Sequence, residues 1–148
     1  EASRLIKGWK DKVARIKDSL EDYSGKRVFL YDSGEDKPFT AGKFGMPTAM
    51  IEALGATNVT ADMETSWGRT SWEAVAASDP EFLILLDYQS GGGAADLLSF
   101  LKSHPVMKYT SAVKNEAFVP LRYEELTPGP ANIEAIAKMA DAMKATLN

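Results

Sequence analysis

Ser66-Trp67-Gly68-Arg69-Thr70-Ser71-Trp72-Glu73, followed by Ser78-Asp79-Pro80-Glu81 and then Phe82-Leu83-Ile84-Leu85-Leu86, decides how the chain is read. A bulky aromatic and a basic residue sit on a glycine turn immediately before a helix start. Thr70 with Glu73 fits a capping box, while a start at Ser71 leaves Glu73 in the first turn; either way a carboxylate lies where the helix dipole favours it. Five apolar residues at 82–86 have strand length and no polar alternation, so a strand covered on both faces is expected.

The same alternation of strand and helix extends in both directions. Leu5, Trp9, Val13, Ile16 and Leu20 recur at steps of four, four, three and four, which predicts one long amphipathic helix ending near Ser24-Gly25. Residues 27–31 read as a buried strand and residues 32–38 as a turn-rich loop. A helix begins around Pro47, a residue suited to the first helical position, and stops at Gly55. Residues 57–59 form a short strand in this reading. Downstream come a helix from about Ala94 to Lys102, closed by His104-Pro105, and a strand at 117–121. The last helix carries Ile133, Ile136, Ala140, Met143 and Leu147 on one stripe. Strands alternating with helices predict an α/β fold, a mostly parallel sheet with helices on both faces. Ligands of such sheets gather outside the C-terminal strand ends. That edge carries residues 32–44, 67–69, 88–93 and 122–123.

With 148 residues, 45% hydrophobic and 26% charged, the chain affords an ordinary globular core. Its net charge of −4 and the absence of any basic run longer than two residues argue against nucleic acid as a partner. Zero cysteines exclude disulfides, thiolate chemistry and cysteine-held metals. The single histidine, His104, is read as structural, and no nucleophile with an adjacent base can be assembled, so catalysis is not expected. No metal site or cofactor is expected either. Glu1-Ala2-Ser3-Arg4 run straight into helical pattern, and the chain is read as part of a longer protein.

Trp67 is the first candidate for binding, because a loop tryptophan between Ser66 and Gly68 can stack its planar face on a chelate or macrocycle. The rival reading makes it a plug on the sheet edge. Trp72, one position into a helix, reads as core. Arg69 and Arg122 can offer guanidinium forks to an anionic ligand, with unpaired surface arginines as the alternative. Tyr88 and Tyr123 follow strands, where a phenol can donate a hydrogen bond or ligate iron, or simply be half-buried. Lys43 and Phe44 lie in a loop between Gly42 and Gly45. Gly91-Gly92-Gly93 reads as a strand-to-helix turn, because no Walker lysine follows it. Asp32, Glu35 and Asp36 read as solvated loop charges.

The order of an aromatic loop, a Ser-x-Glu helix opening, an Asp-Pro-Glu turn and a buried strand resembles the C-terminal lobe of substrate-binding proteins serving ABC importers of ferric siderophores, haem and cobalamin. Leu54-Gly55-Ala56-Thr57-Asn58-Val59 is similar to the family's Gly-Gly-x-Asn turn, with Ala56 for the second glycine. Ala112-Val113-Lys114-Asn115-Glu116-Ala117-Phe118 is similar to its lead-in to the last strand, with Glu116 at the glycine position. The resemblance implies residues 1–24 as an interlobe helix, residues 25–148 as one ligand-binding lobe, and an absent N-terminal lobe. It implies ligand contact through Trp67, with Arg69, Tyr88, Arg122 and Tyr123 lining the cleft, and permease docking through Glu73; Lys43 and Phe44 are weaker ligand candidates from their loop alone. The expected cargo is an iron complex, a ferric siderophore before haem or cobalamin. The expected place is the periplasm or the outer face of the cell membrane, reached through the permease or a lipid anchor beyond this chain. The class-distinct alternative is a small flavodoxin-like nucleotide-binding or enzyme domain, against which stands the acidic Asp32-Ser33-Gly34-Glu35 where a phosphate loop belongs.

Overall fold

The computed structural model describes residues 26–34, 36–87, 93–126 and 131–147. The interlobe helix expected over 1–24 lies outside the described residues. Among the described residues, six strands and five helices follow one another: β1 Arg27–Tyr31, β2 Phe39–Ala41, α1 Met46–Ala53, β3 Thr57–Asn58, β4 Trp67–Arg69, α2 Trp72–Ser78, β5 Phe82–Leu86, α3 Gly93–Ser103, α4 Ser111–Asn115, β6 Phe118–Leu121 and α5 Ala131–Leu147. Short 3-10 turns at Met107–Tyr109 and Tyr123–Glu125 flank α4 and β6.

Four strands form one parallel sheet in the order β3-β1-β5-β6. The α/β sheet expected from the sequence is therefore present. Alternate residues of each strand enter opposite cores, as the pleat requires. Val28, Leu30, Ile84, Leu86, Val119 and Leu121 meet Met50, Ile51 and Leu54 from the α1 region and Ile136, Met139, Ala140 and Met143 of α5. Phe29, Tyr31, Leu83 and Leu85 meet Trp72 and Val75 of α2, Leu98 and Leu101 of α3, and Ala112 and Val113 of α4. All five residues of β5 are fully buried, which explains their unbroken apolar run.

Asp79-Pro80-Glu81 closes the sheet at its lower edge, where the strands begin. Asp79 adopts left-handed geometry (φ 46°) as the cap of α2, and its two carboxylate oxygens accept the Ser111 N–H at 2.8 Å and hydroxyl at 3.0 Å. The Ser111 amide, together with that hydroxyl and the Arg27 guanidinium, holds the Asp79 carboxyl below its ordinary range. Arg27 Nε donates to Asp79 O at 2.8 Å, and the Arg27 N–H donates to the Glu81 carboxylate at 3.2 Å. Since α2 ends here beside the start of β1, its first turn lies toward the opposite edge, where the strands finish.

From the upper end of β1 the chain turns into a second, smaller sheet. β2 and β4 pair antiparallel, with Phe39 opposite Arg69, Thr40 opposite Gly68 and Ala41 opposite Trp67. Trp67 and Arg69 were expected in a loop; they occupy a two-stranded ribbon. Asp32, expected to be solvated, is only 5% exposed, and its N–H donates to Phe39 O at 3.0 Å, closing the turn into β2. Burial follows from the ribbon folding back over the end of β1.

Candidate functional site

On the ribbon, residues directly opposite or two apart share a face. Phe39, Trp67 and Arg69 therefore stand together. Phe39 and Trp67 stack with ring centroids 5.8 Å apart and planes 17° from parallel. The Arg69 guanidinium lies 5.6 Å from the centre of the Phe39 ring, and its Nη1 donates to Lys37 O at 3.1 Å. Trp67 is half-buried, with part of its ring against the apolar core beneath and the rest accessible. Two aromatic rings and a fixed cation make a planar, positively bounded wall, suited to a conjugated or anionic ligand.

The turn at residues 42–45 adjoins this wall. The amides of Gly42, Lys43 and Phe44 donate to the carbonyls of Ser66, Met63 and Thr65, at 3.0, 2.8 and 3.1 Å. A Cβ on Gly42 would collide with the Thr65 carbonyl and lie 2.8 Å from that of Met63, so only glycine lets the two segments approach. At the tip, Phe44 is 64% exposed, and Lys43 Nζ lies 5.7 Å from its ring centre. The structure thus brings Trp67, Arg69, Lys43 and Phe44 to one region and adds Phe39. The sequence signal for Phe39 was weak, since a three-residue strand broken by Thr40 shows no usable period.

Arg122 behaves differently. Its backbone N–H donates to Glu125 Oε1 at 3.0 Å, and its side chain pairs with Glu125 at 3.5 Å and Glu124 at 3.4 Å. Glu125 is buried and also accepts from Lys138 Nζ at 2.7 Å. Burial pushes the Glu125 carboxyl up, but the Arg122 amide and the Lys138 ammonium outweigh it and hold it below the ordinary 4.5. Arg122 therefore anchors the turn after β6 to α5, and its charge already faces carboxylates. Tyr88 and the side chain of Tyr123 lie outside the described residues.

Trp72 is core, as expected, with its ring 5.1 Å from Tyr31 and 4.7 Å from His104. Ser71 caps α2 by accepting the Ala74 N–H at 3.1 Å, which selects the second of the two starts and leaves Glu73 exposed in the first turn. His104 Nδ1 accepts the amides of Val106 and Met107 at 3.2 and 3.3 Å, so the ring caps the turn after α3. Burial lowers its pKa below the ordinary 6.5, partly opposed by Glu73. A recess of about 90 Å³ between residues 59–62 and α2, lined by Val59, Thr60, Asp62, Thr70, Ala74, Val75 and Ser78, is far below the roughly 300–1,000 Å³ of a small-molecule site. Among the described residues, no group of three or more His, Asp or Glu is placed to hold a metal ion, and no helix is long and apolar enough to cross a membrane.

The periplasmic binding protein family model matches residues 1–124. The chain belongs to that family. It is 30% identical over 145 residues to a cobalamin-binding protein of Halobacterium salinarum, an alignment covering 93% of this chain and 37% of that protein. A periplasmic binding protein from Veillonella parvula superimposes with a TM-score of 0.81 at 28% identity, over 97% of this chain and 50% of that one. A possible iron-binding, periplasmic solute-binding protein from Staphylococcus epidermidis superimposes with a TM-score of 0.77 at 26% identity, over 96% and 54%. The chain thus spans about half or less of the length of these family members.

Proposed function

We propose that this chain supplies one lobe of an extracytoplasmic substrate-binding protein that captures a ferric siderophore or a similar iron complex and delivers it to an ABC permease, without chemical change to the cargo. The observation that carries this reading is the Phe39–Trp67 stack with Arg69 beside it, on a ribbon at the edge where the parallel strands end. Such an edge is where open α/β sheets take their ligands. The second lobe supplies the opposing wall. Lys43 and Phe44 extend the surface, and the guanidinium of Arg69 suits the negative charge of a chelate. Arg122 is set aside as a ligand contact because its partners are Glu124 and Glu125.

Cobalamin is the second reading, favoured by the Halobacterium relative, which bears that ligand in its name. The wall alone accommodates either, since a corrin ring and an aromatic chelate both offer a planar face. Titration of the complete protein with ferrichrome, haemin and cyanocobalamin, followed by absorbance and tryptophan fluorescence, separates them. Tight binding of ferrichrome alone supports the siderophore reading, and binding of cyanocobalamin alone replaces it. No binding of any of the three, nor of a ferric tricatecholate, whose aromatic rings and negative charge match the wall, sinks capture of this ligand class.

Glu73 is assigned to the permease. Its carboxylate is exposed in the first turn of α2, while capping of that helix falls to the Ser71 hydroxyl. Glu73→Lys is expected to leave ligand affinity intact and to abolish uptake through an arginine-bearing permease, because like charges replace a charge-assisted pair. Wild-type uptake by this variant would return Glu73 to a plain surface role.

A further inference from the structure

The turn at 42–45 and the end of β2 form much of the proposed wall, yet neither lies in the main sheet. What fixes their position is a buried amide. Asn58, at the end of β3, is 2% exposed, and each of its hydrogen-bonding positions is occupied. Its Nδ2 donates to Ala41 O at 3.0 Å and to Thr48 Oγ1 at 2.7 Å. Its Oδ1 accepts the Thr60 N–H at 3.1 Å and lies 3.0 Å from the Thr60 hydroxyl, whose single proton it shares with Ala41 O. Thr48 relays the connection by donating to Gly42 O at 2.7 Å, and Thr60 Oγ1 also lies 2.8 Å from Ala41 O. The carbonyls held in this way belong to the two residues immediately before Lys43 and Phe44. Ala41 is also the residue opposite Trp67 in the ribbon.

We infer that Asn58 is the positioning residue of the ligand wall, setting through Ala41 O, Thr48 and Thr60 the height at which Trp67 and the Lys43–Phe44 turn meet a ligand. The inference rests on the capture reading above. A buried amide bonded through both its donors and its carbonyl oxygen specifies one geometry, since a displacement of β2 breaks bonds out of reach of water. An apolar residue of similar size would fill the same space while removing one of the two donors to Ala41 O and the donor to Thr48 Oγ1. Fixing a wall before the ligand arrives lowers the ordering cost of binding. Asn58 therefore acts on affinity through the turn, without touching the ligand.

Hydrogen exchange and ligand titration on the complete protein test this with Asn58→Asp and the milder Thr48→Val. Asn58→Asp keeps the shape but points a carboxylate oxygen at Ala41 O; Thr48→Val keeps the volume and introduces no charge while removing the bonds to Gly42 O and from Asn58 Nδ2. The expected result is that the amides of Lys43 and Phe44, which donate to Met63 O and Thr65 O, exchange at least about tenfold faster, while those of Leu83 to Leu86 change far less. Affinity for whichever of ferrichrome, haemin or cyanocobalamin the wild type binds falls about tenfold in Asn58→Asp and about threefold in Thr48→Val. Exchange that quickens evenly across the turn and β5 overturns the inference, because Asn58 is then a general core residue. A loosened turn with unchanged affinity overturns it as well. If the wild type binds none of these probes and no ferric tricatecholate, the capture reading falls, and the exchange comparison alone decides whether Asn58 sets the turn.

Discussion

The parallel sheet and the β2–β4 ribbon are held together by different physics. In the sheet, Val28 to Leu30 and Phe82 to Leu86 are fully buried, and their stabilisation is apolar area, which has no preferred direction. In the ribbon Thr40 and Ala41 are buried while Phe39 and Trp67 are half-buried and Arg69 is exposed, and the ribbon's placement depends on directed bonds from Asn58, Thr48 and Thr60 and on a glycine at 42 that leaves no room for a Cβ. One region supplies stability and the other supplies geometry. The largest test of that division is Ile84→Ala, at the centre of β5 and fully buried. Urea denaturation is expected to show a loss of about 2–5 kcal/mol, while the folded fraction keeps its ligand affinity. A loss below about 1 kcal/mol would mean that the sheet core is not where stability resides.

Trp67→Ala reverses the pattern. Removing a central aromatic from the wall is expected to weaken ligand binding by about 2 kcal/mol or more. Its stability cost should stay below that of Ile84→Ala, because the ring is only half-buried and leaves a surface notch in place of a closed cavity. Calorimetric titration beside a denaturation curve reads both quantities. Unchanged affinity together with a loss as large as that of Ile84→Ala would make Trp67 part of the core and collapse the distinction between the two regions.

Legibility in the sequence divides along the same line. β1 and β5 fall on the residues expected of them, because area-driven burial leaves a composition signature in the strand itself. Helix limits shift by only a residue or so, from Pro47 to Met46 and from Ala94 to Gly93. The ribbon reads as loop in the sequence because strands of three residues, with Thr40 and Gly68 in their middles, carry no period. The burial of Asp32 was likewise illegible, since it depends on the ribbon lying over β1. The pairing of Arg122 is illegible for a related reason: its partner Glu125 sits three residues on, but nothing local shows that this carboxylate is buried against Lys138. Directed contacts between distant segments, which build the site, leave the faintest trace in sequence.

Acid pH probes the helical layer beneath the sheet without touching the ribbon. Burial against Trp72 and Phe100 favours the neutral ring of His104, whose Nδ1 must stay unprotonated to accept the Val106 and Met107 amides. Below the ordinary imidazole value of 6.5 the unfolded chain binds the proton more readily than the folded one, so stability present above that value is lost as pH falls through it. Asp79 and Glu125, held low, keep their contributions until below their ordinary 3.8 and 4.5, leaving His104 to act first. Denaturation midpoints are expected to drop between about pH 7.5 and about 5.5 in the wild type and to hold steadier in His104→Gln. Equal slopes in both would show that the ring titrates as freely in the folded state as in the unfolded one.

The smallest expected effect comes from a place where the sheet region, too, makes a demand on backbone geometry. Glu116 ends α4 in the left-handed region at φ 49°, and the next amide, from Ala117, donates to Ala112 O at 2.9 Å to close the turn into β6. Left-handed geometry costs a residue with a Cβ about 1–2 kcal/mol, whereas glycine accepts it freely at an entropic cost of about 0.5–1 kcal/mol in the unfolded chain. Against this gain stands the Lys102–Glu116 pair at 3.4 Å, half-exposed on both sides and so worth little. Glu116→Gly is therefore expected to stabilise the fold by a few tenths of a kcal/mol, and by about 0.5 kcal/mol in a Lys102→Ala background where no ion pair is forfeited. A clear destabilisation in that background would show that the strain at this turn is already relieved by contacts of the glutamate stem. The burden would then fall on packing, even at a position that the backbone angle alone assigns to glycine.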